Sequence, residues 1–242
     1  MNADEYGRMY ALEDAYWWFV GRRSLALSLL DRALSGRTAP IILDVGCGTG
    51  VVLRELQSRG RAIGADMSRI ALEFCRKRGL GRLIQADGIR LPIQTGAVEA
   101  IVALDIFEHI EDDEQAFREA YRALSSGGVL VLSVPAFKFL WGPHDIALMH
   151  FRRYRAPELR AKLQAAGFRV EHLSYSVFLL FPIVVVVRFF EKRRKGPARA
   201  SLTPLPRWAN RTLIGIQALE AELIRRFRLP WGSSLVAVAV KP

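Results

Sequence analysis

The chain has 242 residues, of which 51% are hydrophobic and 24% charged, with 35 Lys and Arg against 24 Asp and Glu. That composition excludes a disordered or fibrous chain, and the length suits one domain with an elaboration. The net charge of +11 is uneven: residues 1–150 hold 17 basic and 19 acidic side chains, whereas residues 151–242 hold 18 and 5. The two parts are therefore expected to face different partners.

Helical spacing runs as one pattern through residues 10–34 and stops near Gly36. An apolar run at residues 41–45, bounded by Pro40 and the glycines Gly46, Gly48 and Gly50, reads as a buried strand ending in a tight turn. A helix follows over residues 51–60, then a short strand at 62–66. Ser68 N-caps the next helix, and residues 82–87 form a third strand. Residues 100–104 are a fourth strand, 111–124 a helix with an acidic first turn, and 129–134 a fifth strand closed by Pro135. Pro157 opens a helix that ends at Gly167; strands at 168–175 and 234–240 complete the order. Near-continuous apolar strands alternating with helices imply a parallel sheet covered on both faces.

Two cysteines, Cys47 and Cys75, are too few for a disulfide framework or an unaided zinc site, and no metal is expected. The first twenty residues carry four acidic side chains and lack the basic-then-apolar order of a secretory signal, so a cytoplasmic location is expected. The longest uncharged stretch, residues 173–187, contains Pro182 and is shorter than the roughly 20 apolar residues of a spanning helix.

The segment DVGCGTG, Asp44 to Gly50, sits between a strand and a helix. Its glycines let backbone approach a ligand and present amide donors at a helix N-terminus. Asp66 ends the next strand, where a carboxylate accepts from both hydroxyls of a ribose, and Asp87 ends the third at the same sheet edge. A cofactor pocket is expected there.

DVGCGTG, the acid after strand two, the Ala-Asp pair after strand three and LDIFEHI after strand four resemble a class I S-adenosylmethionine (SAM)-dependent methyltransferase over about residues 38–175. The stretch from PAFKFLWGPHD through HFRRYR to AAGF resembles a bacterial branch in which an HxRRY–helix–AGF segment links strands five and six. The resemblance implies an α/β, Rossmann-like sheet of seven strands, mostly parallel, with the last strand antiparallel between the two preceding it. One methyltransferase domain is then expected over residues 1–242: a helical lid (1–37), a SAM-binding core (38–175), an apolar and basic helical insert (176–229) and the terminal strand (230–242). Carried over by position, Gly46, Gly48 and Gly50, with Cys47 among them, approach the methionine part of SAM while Asp44 organises the turn. Asp66 takes the ribose hydroxyls, Met67 packs on adenine, Asp87 beside Gly88 meets the adenine amino group, and Asp105 or its backbone borders the sulfonium. NAD(H) is the rival cofactor, disfavoured because the turn reads G-x-G-x-G rather than G-x-G-x-x-G.

Methyl transfer from a sulfonium needs positioning first, and a base only for a protonated amine or a neutral hydroxyl. His109 follows strand four beside the expected methyl group; His144 and His150 lie after strand five, where acceptor sites form. Arg152, Arg153 and Tyr154 suit an anionic group, and Asp145, Phe107 and Trp18 are further acceptor contacts. Trp18 and Arg22 share a helix face at i, i+4, expected to close over SAM with Arg22 near its carboxylate. In the insert, the apolar run 177–187 precedes the basic run 192–195, and Ile216, Leu219, Leu223 and Phe227 mark an amphipathic helix with Arg211, Arg225 and Arg228 on its other face. A small-molecule or lipid-like acceptor is expected, with residues 177–195 meeting an anionic membrane surface. RNA or protein docking on the insert is the alternative, as is SAM binding without catalysis. No Pro-Cys or Asn/Asp-Pro-Pro-Tyr/Phe motif is present, which counts against nucleic-acid methylation.

Overall fold

The computed structural model describes residues 3–193 and 205–242. Helices α1 (Ala3–Leu12) and α2 (Trp17–Ala33) open the chain. Strands β1 (Ile41–Val45), β2 (Arg61–Asp66), β3 (Leu83–Gln85), β4 (Val98–Leu104), β5 (Leu124–Pro135), β6 (Arg169–Ser176) and β7 (Ser234–Val240) form one sheet in the order β3-β2-β1-β4-β5-β7-β6. Strand β7 is antiparallel to β5 and β6, and the other six run parallel. Helices α3 (Val51–Leu56), α4 (Arg69–Lys77), α5 (Asp113–Ala123), α6 (Pro143–Ala147) and α7 (Ala156–Ala165) lie between strands, and α8 (Phe181–Arg193) and α9 (Arg207–Arg226) occupy the insert.

Alternate residues of each strand feed opposite cores. Leu43, Ile101 and Leu130 pack with Phe117 of α5 and Leu163 of α7; Ile42, Val102 and Val131 pack with Leu30 of α2, Leu53 of α3 and Ile224 of α9. Both faces are thus covered, which is why the strands read as unbroken apolar runs. The strand order reverses between β1 and β4. At such a switch point the loops leaving the two carboxyl ends part to opposite faces and open a crevice.

Residues 13–16 break the helix expected across residues 10–34. Arg23 donates to the Glu13 carbonyl (2.9 Å), and Tyr16 provides no side-chain cap for α2. The cap comes from the insert instead: the Trp17 amide donates to Asn210 Oδ1 (2.9 Å), and Asn210 Nδ2 donates to the Ala15 carbonyl (2.8 Å). A helix start can be satisfied by any oxygen brought to it, so the break is set by a partner 193 residues away.

The apolar stripe expected on α9 is not its buried face. Gln217, Glu220 and Ile224 are buried, while Leu219 and Phe227 are largely exposed. The helix is turned because the Glu220 carboxylate accepts the backbone amides of Val177 and Leu179, pinning the approach to α8, and because Gln217 occupies the space a Cβ on Gly21 would take. The side chains of the basic run at 192–195 lie outside the described residues. Among the described residues no helix is long and apolar enough to cross a membrane.

Asn210→Ala should lower the unfolding free energy by about 1–2 kcal/mol, since one side chain makes both bonds at the α1–α2 break. Urea titration measures this, and Asn210→Asp, which keeps the acceptor for Trp17, should recover part of the loss.

Candidate active site

The turn after β1 is built by glycines at positive φ, Gly46 at 71° and Gly48 at 54°. A Cβ on Gly46 would lie 2.7 Å from the Ile106 side chain, and one on Gly48 2.9 Å from Met9 Cε, so the turn is closed on both sides. The Gly46 amide donates to the Ala65 carbonyl (2.8 Å) and the Gly48 amide to Asp66 Oδ2 (2.9 Å). Asp66 Oδ1 accepts from the Ser68 amide (2.8 Å). Each Asp66 oxygen keeps a lone pair for a further donor.

Asp44 is buried beneath this turn, and its Oδ2 has no hydrogen-bond partner. Burial, followed by the charge of Asp66, pushes its pKa up to about 8. Burial raises Asp66 as well. Beyond β4, Asp105 adopts a left-handed backbone (φ 52°), held by its amide on the Ser133 carbonyl (2.9 Å) and by the Ser133 hydroxyl on Oδ1 (2.7 Å). Its other oxygen pairs with the Arg22 guanidinium. Burial alone would raise Asp105, but Arg22 and Ser133 hold it below the usual carboxylate range.

Three histidines gather beside it. The His109 and His150 rings meet edge to face at 4.6 Å, and His144 lies 6.2 Å from His150. His150 Nδ1 is 3.0 Å from Asp145 Oδ1, and Arg153 clamps both oxygens of Asp145 at 2.8 and 3.0 Å. Burial depresses His109 to about 4, aided by His150, and His144 to about 3, aided by Arg188, so both are neutral imidazoles at pH 7. Glu108 is fully buried, neither carboxylate oxygen has a hydrogen-bond partner, and burial together with the Asp105 charge raises its pKa well above the ordinary value.

One cavity of about 690 Å³ joins these groups. Its wall includes the glycine turn, Asp44, Asp66, Asp105, Glu108 and all three histidines, with Tyr6 and Met9 of α1, Trp18 and Arg22 of α2, and Ile183 and Val187 of α8. A buried carboxylate with an orphan oxygen and acids at adjoining strand ends suit a ligand with hydroxyls and positive charge.

Residues 43–132 match the family model described as a methyltransferase domain. A relative from Mycolicibacterium smegmatis, described as a probable SAM-dependent methyltransferase, is 30% identical over 66% of this chain and 62% of its own length. The demethylmenaquinone methyltransferase of Thermus thermophilus is 32% identical over 56% of this chain and 78% of its own. The chain belongs to the SAM-dependent methyltransferases. A solved SAM-dependent methyltransferase of Thermotoga maritima shares the fold, with a TM-score of 0.63 at 17% identity over 99% of this chain and 96% of that one. The matched part covers less than two thirds of the Mycolicibacterium relative.

In this methyltransferase, the residues expected at the cofactor that line the cavity are Arg22, Asp44, Gly46, Cys47, Gly48, Asp66, Met67, Asp87, Gly88 and Asp105. Gly50 does not: it starts α3 at φ 91°, and a Cβ there would press on Leu80 and Cys75. Of the expected acceptor residues, Trp18, His109, His144, His150 and Arg153 reach the cavity, whereas Phe107, Asp145 and Tyr154 do not. Phe107 stacks on Phe117 at 4.2 Å in the core, and Asp145 is spent on His150 and Arg153. Tyr154 is fully buried, its hydroxyl donating to Asp113 (2.7 Å). Arg152 also pairs with Asp113 (2.7 Å), and Arg153 with Asp145, so HFRRYR braces the loop rather than offering a free anion site. Arg22, expected near a ligand carboxylate, is bound to Asp105 with its Nε left over. Glu108 and Met9 escaped the sequence reading; Glu108 adjoins His109 in LDIFEHI, but its lack of a partner is visible only in three dimensions.

Asp44 fixes the direction of one pH dependence. Its folded pKa lies above the unfolded value, so between about pH 4 and 8 the unfolded chain ionises while the folded chain holds the proton. Its contribution to stability therefore falls with rising pH, by about 1.4 kcal/mol per unit. Ligand-free Asp44→Asn should melt higher than the parent, with a gap that widens from pH 5 to 8 in calorimetry.

Proposed function

We propose that the chain transfers the methyl group of SAM to a small, largely apolar acceptor, taken up at an anionic membrane surface. The observation that carries this reading is the single cavity shared by the glycine turn, the histidine cluster and the apolar wall of α8. SAM supplies a methyl group already activated on a sulfonium, so the chain's task is to bind, orient and exclude water. Asp66 accepts the ribose hydroxyls on its free lone pairs, Met67 covers the adenine, and Asp87 with Gly88 borders its amino group. Gly46, Cys47 and Gly48 give the methionine part room, Asp44 offers its orphan oxygen to the ammonium, and Arg22 Nε meets the carboxylate. Trp18 and Arg153 border the acceptor, and His109, His144 and His150 hold its reacting end. The Thermus relative, named for demethylmenaquinone, fits an acceptor of this kind.

Helix α8 supports the membrane part. Ile183, Val186, Val187 and Phe190, spaced i, i+3, i+4, i+7, are all exposed, and Ile183 and Val187 also line the cavity. An apolar stripe facing out beside the cavity mouth, in the part of the chain (151–242) with 18 basic residues against 5 acidic, matches shallow contact with anionic lipid. Each Lys or Arg near such a surface adds about 1 kcal/mol.

Asp66→Ala should weaken SAM binding about 10- to 100-fold by calorimetry, the worth of charge-assisted hydrogen bonds, and abolish transfer of radiolabelled methyl into a fractionated cell extract. Label entering RNA or protein instead of lipid or small molecules would sink the acceptor assignment. Arg22→Ala should also weaken SAM binding; unchanged affinity removes it from the cofactor site. In sedimentation with vesicles, binding should require anionic lipid and drop with salt and with Phe190→Asp. Equal, negligible binding to anionic and neutral vesicles overturns the membrane reading.

A further inference from the structure

Glu108 presents two buried carboxylate oxygens with no hydrogen-bond partner. Buried polar atoms are almost always satisfied, and an orphan pair on one side chain calls for a water, an ion or a ligand. The groups around it decide which. One ligand atom from each of Glu108, His109 and His150 falls within 4.8 Å of the other two, and His150 Nε2 is 4.0 Å from Glu108 Oε1. Ligand atoms about 2.0–2.2 Å from a shared ion stand some 3–3.5 Å apart, a contraction that small side-chain rotations supply.

The outer contacts favour coordination. A metal-bound imidazole usually donates its second ring nitrogen to a carboxylate or backbone carbonyl, which fixes the ring. His150 does so through Nδ1 to Asp145, itself clamped by Arg153. The His109 ring lies beside the Leu148 backbone. The two ligand-bearing loops are also tied directly, the Phe151 amide donating to the Glu108 carbonyl (2.7 Å).

We propose that Glu108, His109 and His150 form a binding site for a divalent transition-metal ion, such as Zn²⁺ or Fe²⁺, in the wall of the cavity. Two imidazoles and one carboxylate suit these ions better than Mg²⁺ or Ca²⁺, which prefer all-oxygen sets. Three protein ligands leave coordination positions open, and all three residues border the cavity, so an oxygen of a bound small molecule can complete the shell. That last role rests on the proposed methyl transfer; the ion site itself does not. Sequence spacing gave no metal motif because His150 lies 41 residues beyond His109.

The test uses the full chain stripped with a chelator, reloaded with Zn²⁺ or Co²⁺ and desalted. One ion per chain by elemental analysis is expected, and the Co²⁺ form should show a visible absorption band. Glu108→Gln, which preserves volume, and His150→Ala should each weaken Zn²⁺ binding at least about tenfold, with SAM binding retained as the sign of a folded chain. His172→Ala, in β6, should leave Zn²⁺ affinity unchanged. Failure of both ions to bind stoichiometrically, or equal affinity in Glu108→Gln and the parent, overturns the site. Should His150→Ala not fold, Glu108→Gln alone decides. Because neither readout is methyl transfer, a chain that binds metal without transferring methyl retains this site and loses only the proposed reaction.

Discussion

The cavity at the carboxyl edge of the sheet holds more negative charge than a partly dry space can keep ionised. Glu13, Asp44, Asp66, Asp105 and Glu108 all line it. Charges removed from water must be paired or neutralised, and the structure uses both remedies. Asp105 is paired with Arg22 and stays ionised, while burial pushes Glu13, Asp44, Asp66 and Glu108 toward the protonated form. Such a cavity favours a cationic occupant, and the cofactor of this family carries a sulfonium and an ammonium. The sign of the charge thus agrees with the family assignment independently of any motif.

The cation that balances Asp105 comes from a helix positioned by a distant part of the chain. Asn210 of α9 caps α2, and Gln217 fits against Gly21, one residue before Arg22. One turn further along the same buried stripe, α9 pins the segment before α8 through Glu220. The insert is therefore a structural member of the cavity, linking the wall of α8 to the helix that delivers Arg22. The near-neutral first part of the chain and its basic remainder meet there, and the insert is tied to the helix that carries Arg22 through the Asn210 hydrogen bonds and the fit of Gln217.

How much of this was legible in the sequence follows from how local each cause is. The strands and the glycine turn were readable because apolar runs bounded by Pro and Gly, and acids at fixed places after them, report buried parallel strands and their ends. The break between α1 and α2 was not, since its capping oxygen comes from Asn210. The apolar spacing does not report the buried face of α9, because Glu220 and Gln217 are buried for hydrogen bonding and fit rather than hydrophobicity. Tyr154 and Asp145 read as acceptor contacts because polar residues in a loop after β5 suit that role. In the fold they brace that loop, Tyr154 on Asp113 and Asp145 on Arg153.

The same cavity changes character across its extent. Around the glycine turn it is acidic and ordered by backbone amides, suited to a polar cation of fixed shape. Toward α8 the wall becomes the apolar side chains of Leu180, Ile183, Val184 and Val187. Between them lie Glu108, which burial pushes toward the protonated form, and the half-buried histidines, of which His109 and His144 are neutral, all beside the Asp105–Arg22 ion pair. Methyl transfer discharges a sulfonium, and a site whose charged groups are fixed and whose water is limited avoids the reorganisation that such a loss of charge imposes in solution. Electrostatics at one end and apolar packing at the other leave the middle as the place where a single added charge, on a ligand or an ion, has its largest effect.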